Sequence, residues 1–235
     1  MARESLRHAV LKQSRIITDF DEIAGALAAS RATDRLSSAE RAILRAIPTH
    51  ARTGLDVGCG HGVVTRAAAR RGLAMTGVDL SPKMVALARE RTERALGVTY
   101  VVGDIMTASF ERHAFDVVVS VNMVHHLPVS EIVARLAQLV EPGGRLLVQD
   151  VLSRPGLRYL PHNFAAVASR VAQRLMGLDG HSRSVRRLYA RHGEGESYLT
   201  PDAVARVYSD LLPGAEVVQH LEWRYSVIWT RPTAG

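Results

Sequence analysis

A chain of 235 residues, 47% of them hydrophobic, can bury the core of one ordinary domain. No apolar run reaches the ~18 residues of a membrane span, and the charged start Met-Ala-Arg-Glu-Ser-Leu-Arg-His lacks a signal peptide's apolar stretch. The net charge of +7 is carried almost wholly by arginine, with Lys12 and Lys83 the only lysines among 30 basic residues. Few stacking aromatics accompany it, so charge alone argues only for non-specific attraction to nucleic acid. The single cysteine, Cys59, can form no disulfide within the chain, and a cytoplasmic setting is expected.

Residues 1–50 read as amphipathic helices forming an N-terminal cover. Ser37-Ser-Ala-Glu40 is a capping box that predicts a helix ending near Pro48. Residues 51–154 then alternate between two patterns. Apolar runs at 53–57, 74–79, 99–102, 115–121 and 145–151 predict strands. Helical patterns lie near 62–71, 82–96 and 129–140, the second opened by Ser81-Pro82. Pro142-Gly143-Gly144 predicts a turn into the fifth strand. The alternation predicts an α/β fold with a mostly parallel sheet between helices.

After Val151 the alternation stops. Residues 155–196 predict a helical lid rich in arginine (Arg158, Arg170, Arg174, Arg183, Arg186, Arg187, Arg191), with Asp179 the one acid before Glu194. In residues 197–235, Thr200-Pro201 opens a last helix ending before Pro213-Gly214. Strands near 216–221 and 225–231 complete a seven-stranded Rossmann-like sheet. The run Glu222–Trp229 reads as edge-strand core.

The chemistry is expected at the strand ends, where open α/β sheets bind ligands. Leu55-Asp-Val-Gly-Cys-Gly-His-Gly62 is a strand turning through Gly58, Gly60 and Gly62, residues that allow close backbone approach. No register of the dinucleotide fingerprint G-x-G-x-x-G fits. Asp56 would repel a pyrophosphate there and welcome an ammonium group. Asp79 ends the second strand, where a carboxylate can accept ribose hydroxyls. Asp104 follows the third and could accept from an adenine amine. Asp56 and Asp79 could instead cap the helices after them. Acceptors for amine, ribose and adenine at successive strand ends describe S-adenosylmethionine. Cys59, Leu80, Met84, Ile105 and Asn122 sit beside these positions and join the expected cofactor site.

The stretches LDVGCGHG, GVDLSPKMVALAR, VVGDI, FDVVVSVNMVHHL and EPGGRLLVQDV occur in order over residues 53–151. In them the chain resembles the class I S-adenosylmethionine-dependent methyltransferases. The Val124-His-His-Leu127 region is similar to the ubiquinone and menaquinone methyltransferases. The resemblance implies methyl transfer to oxygen, nitrogen or carbon of a small or medium-sized metabolite. His125, His126 and the lid's His192 are the candidate acid–base residues. His162, His181, Tyr189 and Tyr198 are candidate acceptor contacts. No Asn-Pro-Pro-Tyr motif, cysteine pair or metal-ligand spacing is present, so no metal is expected. Two other readings stay open: an RNA methyltransferase using the lid arginines, and a cofactor-binding protein that transfers no methyl group.

Overall fold

The computed structural model describes residues 2–30, 36–176 and 182–233. Seven strands form one sheet: β1 (Thr53–Val57), β2 (Ala74–Asp79), β3 (Thr99–Val102), β4 (Phe115–Val121), β5 (Val140–Val151), β6 (Glu216–His220) and β7 (Arg224–Thr230). Their order is β3-β2-β1-β4-β5-β7-β6. The first five run parallel, and β7 lies antiparallel between β5 and β6. The chain reverses its direction of travel across the sheet between β1 and β4, which opens a crevice at their carboxyl ends.

The central strands are apolar at nearly every position because both faces are covered. Val118, Leu146 and Val148 pack beneath α5 (Val129–Leu139) and α8 (Pro201–Leu211). Val117, Val119 and Leu147 point the other way, toward α2 (Ser38–Ala46) and α3 (Val63–Ala69). The capping box that opens α2 forms as predicted. Ser37 Oγ accepts from Glu40 N at 3.1 Å, and Ser37 N donates to Glu40 Oε2 at 2.6 Å.

Two boundaries differ from expectation. The helix predicted over 82–96 ends early: α4 spans Pro82–Glu90, followed by a 3-10 turn at Arg94–Leu96. Thr92 Oγ1 donates to the Ala88 carbonyl at 2.6 Å, a side-chain bond that competes with helix continuation. The turn predicted at 142–144 is instead absorbed into β5. Phe115 pairs with Val140 and Val117 with Arg145, so the extra residues bulge out of the ladder.

Three helices stand over the carboxyl ends of the strands: α1 (Ala2–Ala29), α6 (Leu160–Leu175) and α7 (Arg183–Gly193). Ile23, Ala24 and Leu27 of α1 pack with Met84 and Leu87 of α4 and Val185 of α7. By contrast, Ala166 is the one buried residue of α6. Asp179 and His181 lie outside the described residues. No helix among the described residues is long and apolar enough to cross a membrane.

Candidate active site

The loop after β1 holds Gly58, Gly60 and Gly62 at φ +71°, +51° and +81°, where side chains are strained. A Cβ at Gly58 would come 2.6 Å from Met123 Cγ, and one at Gly62 would come 2.4 Å from the Tyr100 hydroxyl. At Gly60 a Cβ would meet nothing within 4 Å. Gly58 and Gly62 therefore let the loop fold against its own protein, while Gly60 is bare toward open space.

Asp79 braces this loop. Its Oδ2 accepts from Gly60 N and its Oδ1 from Ser81 N, each at 2.8 Å. Burial pushes its carboxyl above the usual range, against the pull of those two donors. Ser81, not Asp79, caps α4, through a 3.0 Å bond from Met84 N to its Oγ. Asp56 lies deeper. Its Oδ2 accepts from Thr65 Oγ1 at 2.5 Å, and burial pushes the carboxyl up to about 7. Asp104 accepts from Met106 N at 2.9 Å and from Gln13 Nε2 of α1 at 3.1 Å. Cys59 packs with Val85, Ala88 and Tyr100, and burial raises its thiol well above the ordinary value.

Asp56, Gly58, Cys59, Gly60, Asp79 and Asp104 border one cleft of about 2610 Å³, together with Leu80, Met84, Ile105 and Asn122, whereas Gly62 does not line it. Ligand pockets are commonly about 300–1,000 Å³, so there is room for a cofactor and a second molecule. The cleft continues under the upper helices, where Ile16, Phe20, Val167, Val171, Tyr189 and Trp223 also line it.

At the end of β4, Asn122 takes φ +55° and its Oδ1 accepts from Arg224 Nη1. The histidine pair then lies on a 3-10 turn, Val124–His126, rather than on a strand end. Its rings sit 4.0 Å apart but bond in different directions. His125 N reaches Asp150 Oδ2 at 2.9 Å, and His125 Nδ1 reaches Asp150 Oδ1 at 2.6 Å. Asp150, on β5, is fully buried. His126 faces Glu196, with Nδ1 3.5 Å from Oε1, and burial lowers its pKa. His192 of α7 places Nδ1 2.9 Å from Asp19 Oδ2 of α1. Its ring centroid lies 5.0 Å from that of His126.

The fold thus brings His125, His126 and His192 together, with Tyr198 5.1 Å from His125 between ring centroids. His162 is exposed and does not border the cleft. Trp223 departs from the expected strand core. It sits at φ +52° in the β6–β7 turn, and its indole donates to Asn163 Oδ1 of α6 at 2.8 Å. Trp229 is buried in the sheet core as expected. The sequence reading missed Asp150, Glu196, Asp19 and Arg224. Asp150 carried a usable signal, an acid close behind the apolar run Leu146-Leu147-Val148 of its strand. Asp19 and Arg224 lie far from the motifs along the chain, whereas Glu196 lies in the lid stretch between the candidates His192 and Tyr198.

The methyltransferase domain model matches residues 55–148. An uncharacterized methyltransferase of Mycobacterium tuberculosis is 32% identical over 191 residues, covering 79% of this chain and 90% of that one. The chain therefore belongs to the methyltransferase family, and it is an S-adenosylmethionine-dependent enzyme. The 2-methyl-6-phytyl-1,4-hydroquinone methyltransferase of Synechocystis is 40% identical over 114 residues, 48% of this chain and 36% of its own. A ubiquinone biosynthesis O-methyltransferase of Xylella fastidiosa is 36% identical over 112 residues, 46% of each chain. The chain spans less than half the length of these two quinone relatives. Among solved structures, the complex between the Haloferax volcanii Trm112 methyltransferase activator and its putative methyltransferase matches at TM-score 0.62. Identity there is 18%, with 91% of this chain and 97% of that one covered. An O-methyltransferase family protein of Burkholderia thailandensis matches at TM-score 0.57 and 23% identity, covering 83% and 56%. At these identities the structures show the fold alone.

Proposed function

We propose that the chain methylates a hydroxyl oxygen of a small lipophilic acceptor, with His125 as general base and Asp150 as its positioning carboxylate. The observation that carries this is the 2.6 Å bond between His125 Nδ1 and the buried Asp150. That bond leaves Nε2 as the nitrogen free to take a proton. A carboxylate on the opposite nitrogen orients the ring and stabilises the imidazolium that forms.

The residues around the glycine loop fit S-adenosylmethionine. Gly60 offers bare backbone, Asp56 a buried carboxylate for an ammonium group, and Asp79 a braced carboxylate for ribose hydroxyls. Asp104 stands beyond them for the adenine. The bound cofactor supplies a methyl group already activated by a sulfonium charge. What remains for the protein is to align the acceptor behind that methyl group and exclude water. As His125 takes the hydroxyl proton, the oxygen's electron pair becomes available to form the new bond to carbon.

The acceptor class rests on the cleft's lining. Val167, Val171, Phe20 and Trp223 give it apolar walls, and Arg174 and Arg224 border it as cations. Two relatives are named for a hydroquinone and for ubiquinone biosynthesis, which supports a hydroxylated ring. Several arginines of the segment after β5 are engaged within the protein: Arg158 with Asp202, Arg191 with Glu22, and Arg170 over the Trp223 ring. That engagement favours a small acceptor over RNA.

The test is turnover of His125→Ala with a panel of hydroquinones and catechols. Loss of a general base costs about 10²–10⁴-fold in kcat. Cofactor affinity should stay within a few-fold. Unchanged turnover would remove His125 from the chemistry. Methylation of RNA with a steep salt dependence, and of none of the panel, would favour the nucleic-acid reading.

A further inference from the structure

We propose that His126, His192 and Glu196 form a binding site for one divalent transition-metal ion of the zinc type. The ion would clasp the upper helices to the end of β4. The proposal is independent of the acceptor's identity.

The cluster lies behind His125. His126 comes from the turn after β4, His192 from the last turn of α7, and Glu196 from the segment following α7. One nitrogen or oxygen from each lies within 4.8 Å of the other two. All three side chains are more than nine-tenths buried. His126 Nδ1, His192 Nε2 and Glu196 Oε2 have no hydrogen-bond partner. A buried polar atom left in that state has lost its water contacts without a replacement. Among the described residues, His126 Nδ1 has only Glu196 Oε1 and Glu196 Oε2 only Lys12 Nζ nearby, each at 3.5 Å and longer than a good hydrogen bond, so the cluster is under-satisfied.

The chemistry of the donors fits a metal. The bond from His192 Nδ1 to Asp19 Oδ2 assigns the proton to Nδ1 and leaves a lone pair on Nε2. A carboxylate behind a ligating histidine is the usual outer support of zinc sites. Two imidazoles and one carboxylate are a recurrent zinc set, leaving one tetrahedral position for water. Bonds of about 2.0–2.1 Å would place the donor atoms roughly 3.3 Å apart. Small ring and carboxylate rotations would close the present spacing. Lys12 Nζ stands 3.5 Å from Glu196 Oε2 at the surface side and would give up that contact. Asp19 also lies near Arg15 and Arg191, at 3.6 and 3.8 Å.

The site joins segments distant in sequence: α1 through Asp19, β4 through His126, and α7 through His192. The ring of Phe20 packs edge-on against both ligand histidines, 5.9 and 4.8 Å between centroids. An ion there would fix the wall against which the His125 ring rests.

The test uses the full chain stripped with a chelator and titrated with Zn²⁺, then with Co²⁺ as a spectroscopic probe. The expected result is one ion per chain, a rise in Tm with bound ion, and a tetrahedral Co²⁺ absorption spectrum. Asp19→Asn should weaken binding by about 10–100-fold, the usual loss for an outer-shell partner. Glu196→Gln and His192→Asn should abolish the Co²⁺ spectrum while leaving the cofactor-induced Tm shift in place. A wild-type chain that binds no ion and shows no ion-dependent Tm shift would overturn the proposal. So would full stoichiometric binding in His192→Asn and Glu196→Gln, which would place the ion on other histidines. The wild-type titration needs no variant to fold, and the cofactor-induced shift reports whether each variant has.

Discussion

The glycine loop and helix α6 border the same cleft, and they are built in opposite ways. In the loop, backbone N–H groups of Gly58, Cys59 and Gly60 are committed to Val78 O or Asp79. The loop geometry is held by three positive-φ glycines, so it is formed before any ligand arrives. Helix α6 buries Ala166 alone, and exposes Phe164 at 72% and Leu175 at 83%. Most of its apolar surface has no partner in this structure. The difference matches the two substrates. On the proposed function the loop would meet the cofactor and profit from rigidity, which lowers the ordering cost of binding. Helix α6 would, on the same reading, meet the acceptor, and its loosely packed position suits a segment that adjusts on binding.

The comparison can be broken most severely at Gly60. Gly60→Val puts a β-branched side chain at φ +51° and directs it into the cleft. Strain of this kind costs about 1–3 kcal/mol before any ligand is displaced. Cofactor affinity should fall by at least about 100-fold, or 2.7 kcal/mol at 1.36 per tenfold. Calorimetric titration measures it, and melting without ligand separates occlusion from collapse. A folded variant with normal affinity would show that the cofactor does not reach the loop.

Asp79→Ala should act next most strongly. Loss of charged hydrogen bonds costs about 1.5–3 kcal/mol each. Because Asp79 also holds Gly60 N and Ser81 N, both cofactor affinity and the Tm of the free protein should fall. A Tm loss with unchanged affinity would make Asp79 a brace for the loop with no contact to the ribose.

The same contrast explains what the sequence disclosed. The core followed from local signals: alternating apolar runs, Ser81-Pro82, the capping box at Ser37 and the glycine spacing. Each fixes structure within a few residues, so each can be read without the fold. The mostly parallel seven-stranded sheet and the class of cofactor followed from their succession, while the strand order did not. The polar cluster under the upper helices could not be read that way. Asp150 lies 25 residues from His125, and Asp19 lies 173 from His192. Such pairs exist only once β5 lies beside β4 and α1 beside α7. Trp223 was misplaced for a related reason. Aromatics favour strands, but its indole is held by Asn163 of α6, a tertiary bond that outweighs the local preference.

Asp56 sharpens the comparison through pH. Burial holds its carboxyl near 7 in the cofactor-free protein. An ammonium partner binds the ionised form, so below about pH 7 a proton must first leave. Cofactor affinity should therefore fall toward tenfold per pH unit as pH drops from 7 toward 5, by proton linkage. The free protein should show the opposite trend from this group. Its raised pKa adds stability below the ordinary carboxylate value, and that stability is lost as pH rises through about 7. Asp56→Asn should flatten both dependences. A wild-type affinity independent of pH between 5 and 8 would separate Asp56 from the cofactor's amine.

The smallest effect is expected on α6, and it tests whether that helix selects the acceptor. Val167 and Val171 are about half exposed, at 50% and 52%, and both border the cleft. Full burial of a valine is worth about 1.5 kcal/mol at the low end, and half its surface correspondingly less. Val171→Ser should therefore raise KM for a lipophilic acceptor by roughly 3–10-fold, from that lost apolar contact. Cofactor affinity should be untouched because the glycine loop and its acids are unchanged. Tm should change little, since about half of the side chain is already exposed. Steady-state kinetics with the acceptor, beside a melting curve, separates these outcomes. A clear Tm loss would show that α6 is fixed core and would end its contrast with the loop. An unchanged KM would shift acceptor selection to Ile16 and Phe20 of α1, which face the same cleft from the other side chain layer above the sheet.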